Sequence, residues 1–78
     1  MNIVLLQAAS GPDINGPVVR VPPGNYDIER SGVFESCLMF LNKASIPLNG
    51  QVLLSNHTSV KLQAKNAKDL TVKFVRTI

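Results

Sequence analysis

Turn-forming residues recur along this chain at short intervals that leave little room for a helix. They fall at Ser10-Gly11-Pro12-Asp13, Asn15-Gly16-Pro17, Pro22-Pro23-Gly24-Asn25, Ser31-Gly32, Asn49-Gly50, Asn56 and Asn66. Glycine accepts positive φ, proline fixes φ, and asparagine tolerates the left-handed region, so each cluster punctuates the backbone. Between them lie aliphatic and β-branched runs at 3–8, 17–21, 25–30, 33–41, 51–55, 59–64 and 70–76. Short strands with turn signals at this spacing predict an all-β fold. The expected architecture is a small antiparallel β-sandwich or barrel of six to seven short strands, formed by residues 1–78 as a single domain.

Side-chain alternation refines the reading. Residues of a strand point to opposite faces in turn, so Tyr26 and Ile28 are expected inward and Asn25, Asp27 and Glu29 outward. Pro22-Pro23-Gly24-Asn25 reads as a type II turn, with Pro23 setting φ and Gly24 supplying positive φ, which makes the stretch a hairpin. The segment 33–41 is apolar on both faces and is expected at the centre of the sheet. Val60, Leu62 and Ala64 alternate with polar neighbours, as do Leu70, Val72 and Phe74. A helix competes over 60–70, because Val60, Ala64 and Ala67 also fit a spacing of three or four. Asn66 and the β-branched flanks favour strand, turn, strand. Lys61, Lys65 and Lys73 then lie on the exposed face of a final hairpin, where lysine commonly guards sheet edges.

With 78 residues, the chain buries only about 60% of the surface it exposes when unfolded. Its fold is worth about 4–12 kcal/mol. Domains this small usually add a disulfide, a metal or a partner. Cys37 is the only cysteine and His57 the only histidine, which excludes an intrachain disulfide and makes a poor zinc set. Contact with other subunits is the remaining supplement. No run approaches the roughly 20 apolar residues of a membrane helix, and residues 1–6 lack the basic start of a signal peptide. Synthesis in the cytoplasm is expected.

Net charge is +3, unevenly spread. Residues 1–42 carry Arg20 and Arg30 against four carboxylates, whereas residues 43–78 carry five lysines and Arg76 against Asp69 alone. Such polarity steers association with charged partners. Catalysis has little to work with. Asp27 and Glu29 share a face expected to meet solvent, Cys37 reads as an inert buried thiol, and no G-x-S-x-G elbow accompanies Ser55, His57 or Ser59. The glycines are scattered singly and cradle no phosphate. The chain reads as a non-enzyme without cofactor or metal. Its basic second half invites comparison with single-stranded nucleic-acid binders, but alternation sends Tyr26 and Phe74 to the core, so that reading stands only as an alternative.

The run "VRVPPGNYDIERSGVFESCLMFL" resembles the first half of small β proteins found in tailed-bacteriophage virions, through Val19, Val21, Pro23, Gly24, Tyr26, Ile28, Gly32, Phe34, Cys37, Met39 and Leu41. The resemblance covers about a third of the chain; Asn49-Gly50 stands for the Asp-Gly turn of the pattern, and its tryptophan is missing. It implies a capsid decoration protein that binds the major capsid protein or other virion subunits, located in the virion. A homo-oligomer is implied, a trimer being one form. A head–tail or tail component is the related alternative. Expected contact residues are Ile3, Val4 and Leu5, by strand addition to a neighbour's sheet, with Lys61, Lys65, Lys73 and Arg76 as the basic surface.

Overall fold

The structure, a computed structural model, describes residues 2–77; Met1 and Ile78 lie outside the described residues. All regular structure is β: β1 (Asn2–Asn15), β2 (Val19–Val21), β3 (Gly24–Val33), β4 (Ser36–Leu41), β5 (Ala44–Pro47), β6 (Gln51–Leu54) and β7 (Thr58–Thr77). They form one seven-stranded antiparallel sheet of order β5-β4-β7-β3-β6, with β1 and β2 also paired to β7. The sheet curls into a half-barrel. The expected fold class and strand number hold. Two of the strands are long, however, with 14 residues in β1 and 20 in β7.

β7 organises the sheet. One of its edges pairs with β1 over Gln63–Val75 and with β2 over Thr58–Val60. The other pairs with β4 over Val60–Lys65 and with β3 over Lys68–Thr77. At about 3.3 Å per residue, its 20 residues would run about 66 Å, twice the 33 Å length of the molecule. The strand therefore has to bend. Its buried positions are Thr58, Val60, Leu62 and Ala64, then Ala67, then Leu70, Val72 and Phe74. The parity slips by one residue twice, beside Asn66 and Asp69, both at φ +50°. Extra residues of this kind kink a strand and increase its twist.

These bends correct the expected final hairpin. Asn66 does deflect the chain, but 59–64 and 70–76 run on in one direction and do not pair with each other. The spacing of Val60, Ala64 and Ala67 that suggested a helix is the signature of the first bend. Likewise Ser10-Gly11-Pro12-Asp13 lies inside β1. There the register shifts between Val4 and Gly11, and Ala8 sits at φ +47°. β1 must bend to stay in step with β7.

Three further expectations change. The sheet's central strand is β7; β4, from the apolar 33–41 segment, lies between β7 and β5. β5 itself was not foreseen, because Ala44–Pro47 has neither alternation nor β-branched runs. Pro22-Pro23-Gly24-Asn25 closes no hairpin, since β2 and β3 pair with opposite edges of β7. Gly24 has φ +156°, far from the roughly +80° of a type II turn.

The concave side holds the core: Leu5, Leu6, Val21, Tyr26, Ile28, Met39, Leu54, Val60, Leu62, Ala64, Ala67, Leu70, Val72 and Phe74. Phe34 and Cys37 pack against it half-buried. Tyr26 and Phe74 meet with ring centroids 5.5 Å apart and tilted by 30°. Such aromatic pairs add about 0.5–1.5 kcal/mol beyond their buried area. The Tyr26 hydroxyl donates to the Pro22 carbonyl at 2.7 Å, satisfying its polar end and pinning the β2–β3 link.

Gly32 is where β3 passes the second bend of β7. Its φ is +93°, and a Cβ there would lie 2.2 Å from the Asp69 carbonyl oxygen and 2.7 Å from that of Lys68. Backbone cannot yield as a flexible side chain can. Gly32→Ala should cost about 3 kcal/mol or more in urea denaturation, a large share of the fold. Gly50→Ala, with nothing within 4 Å of the new Cβ, should stay within about 0.5 kcal/mol of the parent. Equal midpoints for the two variants would contradict the crossing at Gly32.

Candidate functional site

The most structured part of the surface is the convex face over the first half of β7. Because Val60, Leu62 and Ala64 are buried, Ser59, Lys61 and Gln63 point to the other face. On β4, burial of Met39 turns Leu38 and Phe40 outward. The register sets Phe40 beside Lys61 and Leu38 beside Gln63. Val18, on the link before β2, stands at one side with 66% exposure. Val18, Phe40, Asn42, Lys43, Ser59, Lys61 and Gln63 line an open cleft of about 670 Å³. A neighbouring hollow of about 490 Å³ shares Gln63 and runs to Asp13 and Lys65.

The rim of the cleft is a tight turn. Leu41 and Ala44 are paired, so Asn42-Lys43 is the two-residue loop of the β4–β5 hairpin. Both residues have positive φ, +48° and +71°, as a type I′ turn requires. Asn42 is well suited: its Oδ1 accepts from the Ser59 amide at 3.0 Å, and its own amide donates to the Ser59 carbonyl at 2.9 Å. Lys43 occupies the position where glycine is preferred, at a cost of about 1–2 kcal/mol. In that conformation the lysine lines the cleft.

The sequence-derived contact residues are dispersed. Ile3 is half-buried against the core, Leu5 is buried within it, and Val4 is 47% exposed. The stretch they form pairs with β7 of its own sheet. Lys61 and Lys65 share the cleft side. Lys65 donates to Asp13 at 2.7 Å; this hydrogen bond, together with the Asp13 charge, raises the Lys65 pKa above its ordinary value. Lys73 lies on the other half of β7, 3.8 Å from Glu29. Arg76 is exposed at the end of β7, its guanidinium beside Gly24. All four basic residues belong to the central strand, so the expectation that Lys61, Lys65 and Lys73 guard a sheet edge is corrected. Sequence reasoning missed Phe40 as a surface aromatic, because 37–41 is apolar at every position and offers no alternation to orient it.

Little chemistry gathers elsewhere. Asp27 accepts from Gln51 Nε2 at 2.9 Å on the convex face of the second half. His57 is exposed in the loop before β7. Among the described residues no three of His, Cys, Asp and Glu come together as metal ligands. No helix is long and apolar enough to cross a membrane. Compared with protein-family models, curated proteins and solved structures, the chain matches none.

Cys37 is half-buried on β4, opposite Ala64. Burial raises its thiol pKa above the ordinary value, and the Arg30 charge offsets part of the rise. At pH 8 the folded protein should hold less thiolate than free cysteine and react more slowly with an aromatic disulfide reagent. Unfolding in urea should bring the rate up. A folded-state rate equal to that of free cysteine would show the thiol open to solvent.

Proposed function

We propose that this chain is a non-enzymatic docking domain that joins a protein assembly through the outer edge of β1. In keeping with its resemblance to small tailed-phage β proteins, we propose that the assembly is a virion, whose major capsid subunits the chain braces as a decoration protein.

The observation supporting docking is the chemistry of the β1 edge. β1 pairs with β7 alone, so its far side presents backbone donors and acceptors without a ladder. Proteins normally guard such an edge with charge, proline or a bulge. In β1 the register shifts begin after Val4, and Pro12 and Asp13 come later still. Asn2–Val4 keeps a regular register with Val75, Phe74 and Lys73 and carries no charge. The lysines that sequence reasoning assigned to edge protection stand elsewhere, and the one long open edge is left uncharged at its regular end. Strand addition supplies affinity through main-chain hydrogen bonds, and Val4 adds an exposed apolar contact. A small fold of modest stability gains from such binding by mass action.

Val4→Glu tests the edge without disturbing the fold, because residue 4 faces Lys73 across the ladder and opposite charges are favourable there. The expected result is an unchanged melting temperature and loss of the chain from purified particles that hold the parent, read by mass spectrometry. Retention of Val4→Glu in particles would remove the β1 edge from the reading. A parent chain recovered only as a free monomer, absent from intact particles, would sink the virion assignment.

A further inference from the structure

We infer that the convex cleft over β4 and β7 is a binding site for single-stranded nucleic acid, with a base against Phe40 and phosphates at Lys43 and Lys61. This goes beyond the docking reading and uses different residues. Single-strand binding without sequence preference needs an aromatic platform beside a basic track. Of the four aromatic residues, Tyr26 and Phe74 are consumed by the core and Phe34 packs against it. Phe40 alone lines a cleft, and the ladder sets Lys61 directly beside it.

The charges are arranged for an anion. No acidic residue lines the main cleft, and Lys43 and Lys61 belong to neither ion pair found among the described residues, which are Asp13–Lys65 and Glu29–Lys73. Asn42 has its Oδ1 engaged by the Ser59 amide, which leaves its NH₂ group to donate. With the Gln63 amide it offers neutral hydrogen bonds of the kind base edges and sugar hydroxyls take. An acidic peptide of Asp and Glu would pair with the lysines but has no aromatic ring to stack on Phe40, so the aromatic and the amides favour a nucleotide chain. The adjoining hollow shares Gln63 and leads to Lys65, whose charge is paired with Asp13.

The turn supplies an independent test. Lys43 holds a left-handed conformation that glycine would adopt without strain, and it lines the cleft. Lys43→Gly therefore separates binding from stability, since it should make the protein more stable and a weaker binder.

Anisotropy of a fluorescent oligothymidylate should report binding at 50 mM salt. Neutralising about two phosphates, at about 0.7 counterions each, predicts a roughly 7-fold loss of affinity by 200 mM salt. Phe40→Ala should weaken binding by about 5- to 150-fold. Lys43→Gly should weaken it, flatten the salt dependence and raise the urea midpoint. If Phe40→Ala does not fold, Lys61→Gln reads the same cleft from a side chain outside the core. No binding at 50 mM salt would overturn the inference, as would affinity unchanged by Lys43→Gly and Lys61→Gln. Displacement of the oligonucleotide by polyglutamate as readily as by unlabelled oligonucleotide would also overturn it, and would mark the cleft as a surface for acidic protein.

Discussion

The backbone groups of β7 are engaged along both edges at once, by β1 and β2 on one side and by β4 and β3 on the other. β5 and β6 attach only through β4 and β3. Apart from the slipped residues Asn66 and Asp69, the strand is engaged in ladders, and its side chains decide which way the sheet faces. They do so by strict alternation within each half and by the two parity slips at Asn66 and Asp69. The slips keep Ala64, Ala67 and Leu70 on the concave side while the strand turns, and that turn closes the sheet around a core.

The sequence disclosed the local features and concealed the pairing. Tyr26, Ile28, Val60, Leu62, Val72 and Phe74 could be assigned to the core because each alternates with polar neighbours, and the structure buries all of them. The all-β class followed from turn chemistry. Long-range partners left no such trace: nothing near Asn2 announces that it faces Val75, or near Asp13 that it faces Lys65. Asn66 and Gly11 were read as turns because positive φ marks a bulge and a reversal alike. The candidate site suffered most. Edge and centre are properties of pairing, so the lysines of β7 were assigned to an edge they do not occupy. Phe40 was invisible in a run where both faces are apolar.

The two proposed surfaces follow from one asymmetry. The concave face is filled by the core, which leaves the convex face and the open edges to meet other molecules. On the convex face the charge divides at the bend: Lys43 and Lys61 stand over the first half beside the Asp13–Lys65 pair, while Asp27 and Glu29 accompany Lys73 on the second. The uneven charge along the chain thus becomes an uneven charge across a single face. The uncharged end of β1, Asn2–Val4, lies beside the second half of β7, so contact at that edge and contact at the cleft do not compete for the same residues.

The position of β7 in chain order bears on how the molecule forms. Every strand it organises precedes it, and even the β1 rung nearest in sequence, Asn15 with Gln63, has to wait for β7. During synthesis, β1 and β2 therefore emerge with no template to pair with, while β3 and β4 have only β6 and β5, and the uncharged end of β1 stays open throughout. Loop-closure entropy is spent before any pairing offsets it, which makes folding slow and close to all-or-none. Nascent chains would be exposed to mispairing at that same edge until β7 arrives. The feature that lets the folded domain accept a partner's strand thus sets the interval in which the unfinished chain must be kept from accepting the wrong one.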